Sequence, residues 1–70
     1  MKTICATVTG KIIECIASEG DQIQIGDEIL KIESMKMEIP VESEISGKVM
    51  KILVQEGDDV EEGQPVAELN

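Results

Sequence analysis

One motif occurs twice in this chain, and this repeat restricts the fold more than any other feature. With a shift of 37 residues, the segment 10–33 aligns without a gap with 47–70. The identical positions are Gly10/Gly47, Lys11/Lys48, Glu19/Glu56, Gly20/Gly57, Asp21/Asp58 and Gly26/Gly63. The conserved apolar positions are Ile4/Val41, Val8/Ile45, Ile12/Val49, Ile16/Leu53, Ile23/Val60, Ile29/Val66 and Ile32/Leu69. A fixed repeat of this kind indicates two copies of one structural unit, 3–33 and 40–70.

Each copy is expected to form four short strands. The chain has no Phe, Trp or Tyr, and its apolar residues are mainly Ile and Val, whose branched side chains favour strands. In copy one the pattern predicts strands over 4–8, 12–17 and 29–32, and in copy two around Ile45 and over 49–54 and 66–69. Glycine turns at 19–21, 26–27, 56–58 and 63–65 separate them. The irregular apolar spacing within 12–17 predicts a β-bulge or a switch of face.

The repeat also predicts how the whole chain is arranged. Two copies that each expose an apolar face bury those faces against one another, most simply about a pseudo-twofold axis. We therefore predict one all-β domain over 1–70, a flattened β-barrel or sandwich of two quasi-symmetric four-stranded halves. The pseudo-twofold axis would then relate the junction between the copies to the region where the two termini lie.

The charge balance restricts the class of partner. The chain has fifteen Asp and Glu but only six Lys, which gives a formal net charge of -9. Nucleic acids and anionic membranes select basic surfaces, so we expect neither as a partner. We see no targeting signal and no apolar run as long as a membrane span. These features predict a cytoplasmic protein, and we expect a monomer.

Catalytic and metal-binding chemistry is poorly represented in the sequence. There is no His, and the hydroxyl and thiol groups have no recognisable base partner. Cys5 and Cys15 are interpreted as reduced structural thiols, and a zinc site is not expected. The acidic residues lack the alternating ligand pattern of a calcium loop. We therefore predict that the chain is not an enzyme and binds no metal.

The junction 34–39, with the sequence Ser-Met-Lys-Met-Glu-Ile, has no counterpart in the repeat. Its centre places Lys36 between Met35 and Met37, although hairpin turns usually contain Gly, Asn or Asp. Methionine side chains are adaptable contact surfaces for other proteins. We interpret the junction as a tight β-hairpin that presents Lys36 to partner proteins.

The segment from Glu33 to Glu38 resembles the attachment motif of the biotinyl and lipoyl domains. In that family the modified lysine lies in a hairpin between two quasi-symmetric halves, and the biotinyl version has Ala or Ser before Met-Lys-Met. The lipoyl version typically has Asp before the lysine and Ala or Val after it. The resemblance implies that Lys36 carries covalent biotin. It further implies that a biotin protein ligase recognises Glu33, Ser34, Met35, Met37 and Glu38.

The resemblance also implies a function. Lysine side chains are protonated at neutral pH, so the ligase must activate the biotin and remove protons from the amine. The biotinyl-lysine would then act as a swinging arm that carries carboxylate between a biotin carboxylase and a carboxyltransferase. The copies align without the inserted thumb of some bacterial carriers, and we expect a stand-alone carrier that meets its enzymes in trans. The alternatives are a lipoyl carrier modified by a lipoate ligase, and an unmodified β interaction module.

Overall fold

The computed structural model describes residues 2–70, and these residues form strands joined by turns, with no helix. The strands are β1 (Lys2–Cys5), β2 (Gly10–Cys15), β3 (Gln22–Ile23), β4 (Glu28–Ser34), β5 (Met37–Glu42), β6 (Gly47–Ile52), β7 (Asp59–Val60) and β8 (Pro65–Leu69). They form two four-stranded antiparallel sheets with the orders β1-β8-β6-β3 and β5-β4-β2-β7. The predicted all-β barrel-sandwich is confirmed. No helix in the described part of the chain is long and apolar enough to cross a membrane.

The two sheets do not coincide with the two sequence copies. Each sheet takes two strands from each copy, and among the described strands only β2–β4 and β6–β8 pair within a copy. The simple picture of one copy facing the other is therefore replaced by an interleaved arrangement. The physical reason is that the first and third strands of each copy find their hydrogen-bonding partners only in the other copy.

The pseudo-twofold relation holds at the level of strand register. In the β4–β5 pair, Ile32 lies opposite Ile39, and their repeat mates Leu69 and Lys2 lie opposite each other in the β8–β1 pair. The pairing of the terminal strands is thus the symmetry mate of the junction hairpin, as the repeat predicts. The junction belongs to one sheet and the termini to the other.

The core obeys the same symmetry. All sixteen buried residues of the described chain form eight repeat-related pairs: Ile4/Val41, Ala6/Ser43, Ile12/Val49, Ala17/Val54, Ile23/Val60, Ile29/Val66, Leu30/Ala67 and Ile32/Leu69. The predicted pair Val8/Ile45 is half-buried, and Ile16/Leu53 is exposed. Ser43 is buried because its hydroxyl donates a hydrogen bond to the Ile45 carbonyl and accepts one from the Ile45 N–H.

The predicted turns and bulge are confirmed. The turn glycines Gly20, Gly26, Gly57 and Gly63 all have φ near +90°, a region that side chains with a Cβ rarely adopt. The β2–β4 register shifts between Ile12 and Glu14, and the repeat-related shift in β6–β8 lies between Val49 and Lys51. These bulges let each strand change the face that its side chains present.

Several strand boundaries differ from the predicted ones. The first strand ends at Cys5, and the first strand of copy two is Met37–Glu42, so Ile45 lies outside any strand. The junction is also shorter than 34–39, because β4 continues to Ser34 and β5 begins at Met37. Backbone pairing across the hairpin extends strand structure into residues whose sequence pattern alone looks unstructured.

Candidate functional site

The junction hairpin has a two-residue loop. Ser34 at the end of β4 lies opposite Met37 at the start of β5, which leaves Met35 and Lys36 as the turn. Both turn residues have positive φ, 53° for Met35 and 66° for Lys36. Two positive φ values are the arrangement of a type I′ turn, which normally requires Asn or Gly. The predicted tight hairpin is therefore present, with side chains that its backbone conformation disfavours.

The residues around the loop are presented to solvent. Met35 is 92% exposed and Met37 is 61% exposed. Lys36 is exposed as well, and Ser34 is half-buried. In the described chain the one ion pair joins Lys31 Nζ to Glu14 Oε1 at 3.9 Å, so the Lys36 ammonium has no carboxylate partner there. The hairpin thus offers an accessible primary amine flanked by two apolar side chains.

Below the loop, the hairpin carries a pair of like charges. Glu33 on β4 lies directly opposite Glu38 on β5, and both are exposed. Like charges in directly opposed strand positions destabilise a sheet. The structure therefore brings all the predicted recognition residues into one hairpin, and it adds a juxtaposition of Glu33 and Glu38 that the sequence pattern did not reveal.

The base of the hairpin is fixed by tight packing of β2 on β4. A Cβ atom at Gly10 would lie 2.2 Å from the Glu33 carbonyl oxygen and 2.7 Å from Ile32 Cγ2, so only glycine permits this approach. On the two hairpin strands, Ile32 of β4 and Val41 of β5 are fully buried. The exposed tip is consequently mounted on a stem that is anchored in the core.

Elsewhere in the described residues, the groups to consider are those that could bind a metal ion and the thiols. No group of three or more His, Cys, Asp or Glu is arranged to hold a metal ion. Both thiols are free, but Cys5 is exposed instead of contributing to the interior, because it occupies an outward position whose repeat mate is Glu42. Cys15 is half-buried, and burial, with smaller effects from Glu56 and Asp58, raises the pKa of its thiol.

The comparisons with known proteins agree with this geometry. The family model described as "Biotin-requiring enzyme", a biotin/lipoyl domain, matches residues 2–69. The biotinylated protein TB7.3 of Mycobacterium tuberculosis is 50% identical over 36 residues, which are 51% of this chain and 51% of that protein. Its Mycobacterium leprae homologue is 53% identical over a segment of the same length and coverage. The chain thus spans about half the length of these curated relatives.

Two solved carboxylase structures contain a domain with this fold. Kluyveromyces lactis urea carboxylase superposes with a TM-score of 0.92 at 39% identity, over 99% of this chain and 6% of the carboxylase. A single-chain, multi-domain long-chain acyl-CoA carboxylase superposes with a TM-score of 0.87 at 26% identity, over 94% of this chain and 7% of the enzyme. With a family model that matches nearly its whole length, this chain belongs to the biotin/lipoyl family of attachment domains.

Proposed function

We propose that this protein is a biotin carrier and that Lys36 is its acceptor residue. The observation that carries the proposal is the position of Lys36, an exposed amine at the tip of the one hairpin that has no repeat counterpart. The similarity to a biotinylated protein and to two carboxylases supports biotin as the group and a carboxylating enzyme as the partner.

The residues of the hairpin fit a covalently attached biotin. Lysine provides an amine on a long flexible stem, and the positive φ values of Met35 and Lys36 direct the chain through a tight turn with both side chains in solvent. When attached, biotin supplies a ring nitrogen that takes up and releases carboxylate. The protein's own contribution is to position that group, since the residues adjacent to Lys36 are the apolar Met35 and Met37.

Attachment would proceed by acyl transfer from a biotin adenylate that a biotin ligase supplies. A bond forms between Lys36 Nζ and the biotin carboxyl carbon, and the bond from that carbon to the phosphate oxygen breaks. AMP leaves, and the ammonium gives up two protons, one to a base of the ligase before attack and one to the departing phosphate as the amide forms. The product is a neutral amide, so modification removes the positive charge from the hairpin tip.

Recognition by the ligase would involve the residues on both sides of the lysine. The exposed Met35 and Met37 side chains provide apolar contacts. The opposed Glu33 and Glu38 provide negative charge that suits a basic surface, and Ser34 closes the hairpin beside them. None of these side chains is needed for the core, so their composition is best explained by binding.

Intact mass spectrometry tests the proposal directly. The wild-type protein and Lys36→Arg are expressed with a biotin ligase and with excess biotin, and each is then weighed. We expect a single biotin increment that is confined to Lys36 by peptide mapping and is absent from Lys36→Arg. Lys48→Arg, an exposed lysine outside the hairpin, serves as the matched control and should remain biotinylated.

Other mass results would contradict this assignment. A lipoyl increment in cells that contain both ligases would establish the lipoyl carrier in place of the biotin carrier. No increment with either ligase would contradict both carrier functions and favour an unmodified interaction module. A biotin increment that persists in Lys36→Arg would place the acceptor elsewhere.

A further inference from the structure

Four turns of the described chain share the same backbone geometry and hydrogen bonds, and one of them differs in the side chain that precedes its glycine. In each turn a glycine with φ near +90° occupies the third position, and the fourth residue's N–H donates to the first residue's carbonyl at 2.9–3.1 Å. The first residue's N–H also bonds to the fourth residue's side chain. The residues before the glycines are Glu19, Ile25, Glu56 and Glu62.

The exceptional residue, Ile25, makes no visible contribution to folding. The carboxylates of Glu19 and Glu56 accept hydrogen bonds from the backbone N–H groups of Ile52 and Cys15, at 3.4 and 3.3 Å. Glu62, the repeat mate of Ile25, is exposed as a charged turn residue should be. Ile25 is 72% exposed, so its apolar surface remains in water where three equivalent positions carry a carboxylate.

A groove lies beside Ile25. It has a volume of about 430 Å³ and is lined by Thr7, Ile25, Gly26, Pro40, Glu42, Ser43 and Glu44. Two backbone hydrogen bonds of 2.8 Å, from Gly26 N–H to the Ser43 carbonyl and from Ser43 N–H to the Asp27 carbonyl, fix the turn against this segment. We call this surface the Ile25 groove.

The charge of the Ile25 groove indicates the kind of molecule that fits it. Its charged lining residues are Glu42 and Glu44, and none of the described lining residues is basic. Glu42 also lies directly opposite Glu28 in the β4–β5 pair, an arrangement that destabilises a sheet. A cationic partner would relieve that repulsion. A second copy of this chain, with a net charge of -9, and an anionic membrane would both be repelled.

We propose that the Ile25 groove is a docking site for a basic segment of the carboxylating enzyme that uses the carrier. An apolar side chain of that segment covers Ile25, and lysine or arginine side chains face Glu42 and Glu44. β5 runs from Met37 at the attachment hairpin to Glu42 in the groove, so docking there retains the lysine arm near the enzyme. The identity of the partner rests on the proposed function, whereas the chemistry of the segment rests on the groove.

Carrier kinetics provide the first test. Biotinylated wild type, Ile25→Gln and Glu62→Gln are compared as substrates of the biotin carboxylase purified from the same cells, with ATP and bicarbonate. Ile25→Gln should raise the KM for the carrier about tenfold, because the apolar contact with Ile25 is lost while the charge of the groove is unchanged. The kcat and the degree of biotinylation should not change. Glu62→Gln, at the repeat-related turn, should match wild type.

The second test needs no carboxylase. A short blocked peptide of alternating lysine and isoleucine is titrated into ¹⁵N-labelled protein, with a glutamate-isoleucine peptide as control. We expect chemical-shift changes centred on Ile25, Gly26, Glu42 and Glu44, weakened by salt and lost in Ile25→Gln. Shifts spread evenly over all four turns, or a wild-type KM for Ile25→Gln, would overturn the docking site. Localised shifts without turnover of any carrier would support the groove and contradict the proposed function.

Discussion

At the scale of single residues, the repeat shows what each cysteine does. Cys15 and its mate Ile52 are both half-buried and pack against the core, so the thiol there replaces an aliphatic group. Cys5 and its mate Glu42 are both exposed. The two thiols therefore occupy different environments although both are free.

This difference predicts unequal reactivity toward iodoacetamide. Burial, with Glu56 and Asp58, raises the pKa of Cys15, and only the thiolate reacts. In Cys5→Ser, Cys15 should be alkylated several times more slowly at pH 8 than Cys5 is in Cys15→Ser. Because the Cys15 pKa is raised in the folded protein, the thiol ionises more readily in the unfolded chain. The contribution of Cys15 to the free energy of unfolding is therefore complete below the ordinary thiol pKa and declines as the pH rises through it. Equal alkylation rates, measured by mass spectrometry, would contradict the assignment.

At the scale of an element, the junction hairpin combines a core-anchored stem with a strained tip. Ile32 and Val41 anchor the strands in the core, whereas Met35 and Lys36 adopt the left-handed region. That region costs an ordinary residue about 1–2 kcal/mol. Because Met35 is almost fully exposed, packing does not offset this cost. The proposed binding to a ligase or carboxylase would account for a methionine there.

Met35→Asn should separate stability from recognition. Asparagine tolerates the left-handed region, so we expect the free energy of unfolding to rise by about 0.5–1 kcal/mol in urea titrations. The rate of biotinylation should fall because an apolar contact is lost. Met50→Asn, at a methionine that is 47% exposed on β6, is the control and should be biotinylated at the wild-type rate. A loss of stability in Met35→Asn together with normal biotinylation would refute this account.

At the scale of the whole molecule, neither copy forms a sheet alone. Of the six strand pairings among residues 2–70, four join one copy to the other. The hydrogen bonds from the turns follow the same rule: Gly20 N–H donates to the Val49 carbonyl, and Gly57 N–H donates to the Ile12 carbonyl, at 2.8 and 2.7 Å. The copies are therefore held together by backbone pairing as well as by the shared core.

We accordingly predict that peptides 3–33 and 40–70 are each unfolded in isolation. A two-stranded hairpin is marginal in water, and each copy retains only one internal pairing, β2–β4 or β6–β8. Circular dichroism should show coil for either peptide, and the full chain should show a cooperative β-to-coil transition under the same conditions. A cooperative thermal transition in one isolated copy would be inconsistent with this architecture.

Local patterns in the sequence predicted much of this structure. The offset of 37 residues identified five of the eight buried pairs, the glycines marked the turns, and Met35-Lys36-Met37 marked the exposed hairpin. These features are readable because alternation, turn chemistry and repeat spacing act over a few residues or recur at a constant interval. The family resemblance of the hairpin added what the attached group should be.

Tertiary structure alone decided which strands share a sheet and which exposed residues lie together. The repeat is equally compatible with copies that face one another and copies that interleave, because both bury the same apolar set. Only long-range pairing selects the second and places β5 beside the Ile25 turn. It also puts Glu33 opposite Glu38 and Glu28 opposite Glu42. Contacts between distant segments depend on register and sheet order, which no local pattern encodes.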